Sequence, residues 1–239
     1  MSAGPDVGRV RIGLLGGFTT AVDGALVADR WRLRKARTLV KLLALAPGHR
    51  MHRDTVIEQL WPDAAPTSAA NNLHQAVHAA RSVLGAHRIG LRGDILTLCP
   101  DDELEVDVDV FERAAAHARA TGDVAALREA LARWSGPLLP EDVYEPWAAL
   151  PRERLDKIHA EVAAQLAEQL VRTARPEAAL TLLEPLAADR PVDESVQRAQ
   201  IAALAASGRR WDAIGRYEQL RDTLEQEYAA EPDQQTKAL

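Results

Sequence analysis

Residues 66–85 have the sequence PTSAANNLHQAVHAARSVLG, which predicts an amphipathic helix. On a helical wheel of about 100° per residue, one side collects the apolar side chains of Leu73, Val77, Ala80 and Leu84. Thr67 or Ser68 is the expected N-cap, and Gly85 is suited to the C-terminal end. We therefore expect this helix to pack on a core along one face and to expose the other.

The exposed face of this helix carries polar side chains that suit the edges of DNA bases. Asn and Gln can form two hydrogen bonds with adenine, so the face fits the major groove of DNA. The candidate base-facing residues are Ser68, Asn71, Asn72, Gln75, His78 and Ser82. A solvated helix face can carry the same residue types without binding DNA, and the wheel leaves both interpretations open.

The segments around this helix predict a small α+β domain. Residues 9–28 alternate polar and β-favouring side chains around an Asp-Gly turn, which predicts an antiparallel meander. Two further helices are predicted over residues 33–46 and 53–60, and a β-hairpin over residues 88–99. Strands, three helices and a terminal hairpin form the order of a winged helix-turn-helix.

Charge is distributed unevenly between the two halves of the sequence. Residues 1–100 contain 13 Lys and Arg against 7 Asp and Glu, a net charge of +6. Residues 101–239 contain 16 against 28, a net charge of −12. Such asymmetry indicates two domains with different partners, and the basic half is the candidate for binding a polyanion.

The second half begins with a connector strand. Its acidic residues resemble a calcium-binding loop counted from Asp101, but Val106 stands where an EF-hand needs glycine. The alternation over residues 105–110 indicates a strand with one exposed face instead.

An all-α domain is predicted after the connector. The expected helices cover residues 111–119, 123–133, 146–173, 176–188, 193–207 and 210–229. An offset of 35 residues aligns the segment 175–180 with 210–215, which predicts a tetratricopeptide-like pair of repeats. Such helical repeats bind partner proteins or one another.

No catalytic, cofactor or metal site is predicted. Cys99 lies in an alternating apolar run and is expected to be a packed thiol, and no Gly-rich phosphate loop is present. His74 and His78 have the spacing of zinc ligands, but Gln75 replaces the glutamate of H-E-x-x-H. The apolar runs fall short of the roughly 18 residues of a membrane span. We expect a cytoplasmic protein that is not an enzyme and has no membrane contact.

Several segments together resemble the SARP family of bacterial transcriptional activators. They are Trp31–Arg37, Leu45–Arg50, Leu60–Asp63, Asn71–His78, Leu131–Asp142, Ser207–Arg210 and Tyr217–Arg221. The family pairs an OmpR-type winged helix with a bacterial transcriptional activation domain, so the resemblance implies these domains over residues 9–100 and 111–239, joined by the connector 101–110. Related chains often continue beyond Asp233 into an ATPase module, so the sequence corresponds to a short member or to part of a longer one.

The resemblance implies a sequence-specific activator that binds tandem promoter repeats as a homodimer and engages RNA polymerase. The alternative is a helical scaffold that binds proteins and has only non-specific DNA affinity. Phosphate or wing contacts are expected from Arg34, Lys35, Arg37, His74, Arg81, Arg92 and Gly93. The chain departs from the family at His78, Ala79 and Thr97, where related proteins commonly carry Arg.

Overall fold

The structure is a computed structural model that describes residues 8–27 and 30–239. The described residues form seven β-strands and ten α-helices. None of these helices is both long enough and apolar enough to cross a membrane. Contacts divide the chain into two compact units, each with its own core.

The division between the units differs from the single boundary expected near residue 111. The first unit runs to Val110 and also includes Ser135–Glu153, and the remaining residues form the second unit. Backbone hydrogen bonds hold the inserted segment, because Leu139 N donates to Leu14 O and Gly16 N donates to Pro137 O, both at 2.9 Å. A segment from the predicted helical domain is therefore part of the N-terminal unit.

A four-stranded sheet opens the first unit. Its strands are β1 (Arg9–Gly13), β2 (Thr19–Val22), β3 (Ala25–Leu26) and β7 (Glu103–Val106), in the order β3-β2-β1-β7. The first three strands are antiparallel, as the alternation predicted, and positive φ angles at Asp23 and Gly24 form the expected hairpin turn. Alternate side chains of β1, Val10 and Ile12, enter the core.

The connector strand was predicted with the wrong end and the wrong role. It ends at Val106, not at residue 110, and it pairs in parallel with β1 as a member of the sheet. Helix α4 (Asp107–Thr121) begins at once, because the Asp107 carboxylate accepts hydrogen bonds from the backbone N–H groups of Leu14, Leu15 and Val108. The hydrogen bonds from Asp107 to the backbone just after β1 thus determine that β7 ends at Val106.

Three helices follow the first hairpin, namely α1 (Arg34–Leu45), α2 (Arg53–Leu60) and α3 (Pro66–Leu84). The bounds of α1 and α2 and the end of α3 agree with the predicted ones within one residue. The expected N-cap of α3 was wrong, because Ala65 is the N-cap and Pro66 occupies the first helical position. Proline suits that position since it lacks only an N–H group that would have no helical partner.

A second, three-stranded sheet combines one strand that precedes α2 with two strands that follow α3. It contains β4 (Arg50–His52), β5 (Ile89–Arg92) and β6 (Ile95–Leu98), in the order β4-β6-β5. The β5–β6 hairpin matches the predicted one, and β4 pairs with β6 on its other side. Leu96 and Leu98 of the central strand are buried.

The rest of the chain is helical, as predicted. The helices after α4 are α5 (Val124–Ala132), α6 (Pro146–Arg172), α7 (Pro176–Asp189), α8 (Glu194–Ala206), α9 (Arg210–Tyr228) and α10 (Gln234–Lys237). Buried Gln197 joins α7, α8 and α9. Its Nε2 donates to the carbonyls of Ala187 and Arg190, at 3.0 and 2.8 Å, and its Oε1 accepts from Arg216 Nε at 2.6 Å.

Two helix ends in the second unit repeat with a spacing of 34 residues. Arg175 N donates to Leu170 O at 2.8 Å, and Arg209 N donates to Leu204 O at 3.0 Å. The residue before each arginine, Ala174 or Gly208, has a positive φ. The sequence offset of 35 is therefore corrected to 34, which is the period of tetratricopeptide repeats.

Candidate nucleic-acid interface

A continuous polar stripe runs along the exposed side of α3. Its members recur at helical spacing and are all exposed to solvent: Ser68, Asn71, Gln75, His78 and Ser82. The opposite side of the helix is buried, with Leu73 and Val77 at its centre. Asn72 is half-buried at the edge of this α3 stripe, and His74 is exposed on the flank. The wheel therefore separated the buried and exposed faces correctly.

The segment before α1 forms a groove with the C-terminal half of the α3 stripe. This open groove of about 490 Å³ has Arg30 and Arg32 on one side and His78 and Ser82 on the other. Trp31 anchors the segment, since its Nε1 donates to Thr20 Oγ1 at 3.1 Å. Two guanidinium groups thus lie beside the stripe without belonging to α3.

The basic residues predicted on α1 have different environments. Arg34 is largely exposed and forms an ion pair with Glu145 at 2.8 Å. Lys35 Nζ donates to the Leu60 carbonyl at 2.6 Å, which caps the C-terminal end of α2. Arg37 is half-buried and has no ion-pair partner among the described residues. The Lys35 ammonium group is therefore used within the first unit. The guanidinium groups of Arg34 and Arg37 do not bond a backbone carbonyl in this way and stay candidates for phosphate contacts.

Arg81 is held inside the first unit. Its Nε and Nη2 both donate to the carbonyl oxygen of Ile89, at 2.9 and 2.6 Å. These bonds tie the last turn of α3 to β5. The wheel placed Arg81 at the flank, but it could not reveal the acceptor on the following strand.

The exposed face of the second sheet is basic. Arg50 lies opposite Thr97, and His52 and Arg92 both lie opposite Ile95, so alternation puts these side chains on one face. An open groove of about 390 Å³ on this face has Arg50 and Arg92 among its lining residues.

The tip of the β5–β6 hairpin extends into open space. Gly93 has φ +59°, and a Cβ placed there would meet no atom within 4 Å. Arg53 N donates to the Asp94 carbonyl at 2.8 Å, which ties the tip to the start of α2. The predicted wing residues Arg92 and Gly93 are both exposed.

The sequence did not predict that Arg30 and Arg32 lie beside the α3 stripe, or that Arg50 and His52 lie on the exposed face of the second sheet. Arg32 lay inside a quoted basic segment, but its proximity to the α3 stripe depends on the path of the chain before α1. Arg50 and His52 became visible only through the pairing of β4 with β6. The alternation of Arg50, Met51 and His52 was the available signal, although three residues are too few to predict a strand.

Candidate nucleophiles and metal ligands among residues 8–27 and 30–239 give no sign of a second site. Cys99 is buried, and burial raises the pKa of its thiol to about 12. In the part of the chain that the structure describes, no three His, Cys, Asp or Glu side chains are placed to hold a metal ion.

The helical region matches a known protein family. Residues 106–239, more than half of the chain, match the bacterial transcriptional activator domain. The chain belongs to the SARP family of bacterial transcriptional activators. The family domain therefore begins at the last residue of β7, and the segment Ser135–Glu153 lies within its sequence limits.

Relatives of this SARP-family chain include two named regulators. The transcriptional regulatory protein EmbR of Mycobacterium tuberculosis is 29% identical over 97% of this chain, which spans 62% of the length of EmbR. The regulatory protein DnrI of Streptomyces peucetius is 28% identical over 96% of this chain and 90% of its own length.

A solved structure of M. tuberculosis EmbR in complex with a low affinity phosphopeptide has the same fold as this SARP-family chain. The TM-score is 0.79 at 24% identity, over 96% of this chain and 63% of the solved chain. This likeness concerns the fold alone.

Proposed function

We propose that this chain is a sequence-specific DNA-binding activator whose first unit is a winged helix-turn-helix. In this proposal α3 enters the major groove, and the β5–β6 hairpin is the wing. The observation that carries the proposal is the α3 stripe, because Asn71 and Gln75 expose amide groups that can each bond adenine twice. The stripe continues beyond them to His78 and Ser82.

The chain lacks arginines that are common in its family on α3 and on the wing. Arginines from neighbouring segments lie close to both of these places. His78 and Ala79 replace a common Arg of the recognition helix, and the groove beside them contains Arg30 and Arg32. Thr97 replaces a common Arg of the wing, and Arg50 lies directly across the strand pair from it. We propose that these arginines contact phosphates in place of the family residues.

Of the phosphate contacts expected from the sequence, Arg34, Arg37, His74, Arg92 and Gly93 stay in the proposal. Lys35 and Arg81 leave it, because each already donates to a backbone carbonyl of the first unit. Their side chains position α2 and β5 in this proposal and do not hold DNA.

The second unit is proposed to bind proteins. The residues of this unit include 15 Lys and Arg against 18 Asp and Glu, a net charge of −3, and their helical repeats are of a type that binds partner proteins. We propose that this region pairs two copies on tandem promoter repeats and engages RNA polymerase, as the family resemblance implies. Pairing two weakly bound readers raises the effective concentration of the second one at its half-site.

The test is a binding titration with a labelled promoter fragment, selected by footprinting upstream of the genes next to the one encoding this chain. Affinity for this fragment should exceed affinity for a shuffled fragment of equal length at two salt concentrations. Both affinities should fall steeply with salt, because bound phosphates release counterions. Equal affinity for the two fragments would contradict sequence reading and favour the alternative, a helical scaffold with non-specific DNA affinity.

A further inference from the structure

The groove between the segment before α1 and the C-terminal half of α3 has cationic walls. Its lining residues that carry a positive charge or can gain one are Arg30, Arg32 and His78, and all three are exposed. Within the described part of the chain, no hydrogen bond or ion pair holds any of these three side chains. No carboxylate is among the described residues that line the groove. The two guanidinium groups and the imidazole are therefore free to bind a ligand.

The other polar side chains of this groove already have partners. Ser82 Oγ donates to the Ala79 carbonyl at 2.7 Å, and Trp31 Nε1 donates to Thr20 Oγ1 at 3.1 Å. The free groups are therefore donors, and they suit an anion with several acceptor oxygens, such as a phosphate diester. The volume of about 490 Å³ leaves room for a phosphate group and its flanking sugars.

His78 differs from the two arginines because its charge depends on pH. An imidazole donates one hydrogen bond when it is neutral and two when it is protonated. Histidine side chains change charge between about pH 5 and pH 8, whereas arginine stays charged. A phosphate oxygen beside the ring favours the protonated form, because an opposite charge at close range stabilises it.

The charged groups around His78 have the same sign in the part of the chain that the structure describes. On α3, His74 lies one turn earlier and Arg81 lies one turn later, and the two arginines of the groove lie across from it. Helix α1 contributes Ala36 to the lining and no charged side chain. Asp29 precedes the groove in the sequence and lies outside the described residues. Among the described residues that line the groove, none supplies the negative charge that favours a proton on His78, whereas a bound anion does.

We propose that this groove binds one phosphate of the DNA backbone between Arg30, Arg32 and a protonated His78, so that DNA binding by this chain takes up a proton. The inference rests on the proposed function, which places α3 in the major groove of DNA. It makes His78 a phosphate contact, which holds DNA without reading its sequence. Because binding takes up a proton, affinity for DNA rises as the pH falls.

The test measures binding of the full chain to the footprinted and the shuffled fragments at about pH 6 and about pH 8, at constant ionic strength. Affinity for both fragments should be roughly five- to tenfold higher at the lower pH. His78→Gln cannot gain a charge and should lose most of this rise, whereas His78→Arg should bind tightly at both pH values. His117→Gln is the matched control, since it changes an exposed histidine of α4 and should keep the rise. Thermal unfolding at each pH checks that the variants are folded.

A series of DNA fragments with one neutral methylphosphonate linkage each locates the phosphate. At one linkage the wild-type chain should lose the rise to the extent that His78→Gln loses it. At that linkage the wild-type chain and His78→Gln should bind with equal affinity at both pH values. A rise that no single neutral linkage reduces would overturn the phosphate site, as would a rise that His78→Gln retains in full.

The outcomes separate this inference from sequence reading. Equal affinity for the two fragments, with a rise that His78→Gln removes, would support the phosphate site and contradict the proposed function. Discrimination between the fragments with an affinity that is independent of pH would support the proposed function and overturn this inference. A rise confined to the footprinted fragment would assign His78 to a base and would overturn the phosphate site as well.

Discussion

The ammonium group of Lys41 on α1 forms a buried ion pair with the carboxylate of Asp142, a residue 101 positions further along the chain. Lys41 is 1% exposed, and its Nζ also bonds Glu141 Oε1 at 2.8 Å and lies 4.9 Å from the centre of the Phe18 ring. The helix that precedes the proposed DNA-reading elements is therefore attached to the segment Ser135–Glu153, which the family domain contributes.

The first prediction concerns this ion pair. Lys41→Met should lower the free energy of unfolding by roughly 3–5 kcal/mol, because it leaves the buried Asp142 carboxylate without its cation. The double variant Lys41→Met/Asp142→Leu should recover much of the loss, since the remaining carboxylate, Glu141, is partly exposed and still accepts a hydrogen bond from Phe18 N. Urea unfolding of the full chain measures both. The exposed Lys157→Met is the control, with an expected change within about 0.5 kcal/mol. A double variant less stable than the single one would contradict the ion-pair explanation.

The second prediction concerns base reading by α3. Gln75→Ala should weaken binding to the footprinted site by roughly 1–3 kcal/mol and change binding to shuffled DNA little, because a base contact carries sequence information. Gln226→Ala removes an exposed glutamine of α9 and is the matched control. Leu73→Ala, by contrast, should cost roughly 2–5 kcal/mol of stability through loss of core packing. If Gln75→Ala weakens both DNA probes equally while the protein stays folded, α3 is not the reader.

The third prediction separates two arginines that the sequence placed in one class. Arg81→Ala should lower the free energy of unfolding by about 1.5–3 kcal/mol, because it removes charged hydrogen bonds to the Ile89 carbonyl. It should leave unchanged the salt slope of DNA binding, which is the slope of the logarithm of the binding constant against the logarithm of the salt concentration. Arg92→Ala should leave the melting temperature unchanged and reduce the salt slope by about one unit. Thermal unfolding and salt titration of the two variants provide the comparison. If Arg81→Ala reduces the salt slope and leaves the melting temperature unchanged, Arg81 contacts phosphate after all.

The fourth prediction concerns pH. His49 Nε2 lies 3.0 Å from Asp109 Oδ2, and this hydrogen bond raises the pKa of His49 above its ordinary value of 6.5. The pair therefore contributes stability fully below pH 6.5 and loses it as the pH rises through the folded-state pKa.

Unfolding measurements across this pH range, with NMR titration of the His49 ring, provide the check. In Asp109→Asn the pKa of His49 should fall, and the stability difference from wild type should shrink at alkaline pH. A difference that grows as the pH rises would contradict this assignment. His74→Asn changes an exposed histidine of α3 and serves as the control.

Local patterns were sufficient for most helices of this protein. The spacing of apolar residues and the Pro or Gly at the segment ends predicted α1, α2 and the end of α3 within one residue. Those signals are short in range, because each helix hydrogen bond joins residues four apart. The same periodicity predicted the α3 stripe. It could not predict that Arg30 and Arg32, from the segment before α1, lie beside that stripe.

Local sequence patterns predict most of the helices, the two hairpins, the opposite charge of the two halves and the polar face of α3. Only the folded chain shows that β7 pairs with β1, that Ser135–Glu153 joins the first unit, that the Ile89 carbonyl binds Arg81, and that Arg50 lies across from Thr97. Each of these contacts joins residues from different elements, and the periodicity within a single helix or strand carries no information about such pairs. Their partners are chosen by the packing of whole elements, so no local pattern contains them.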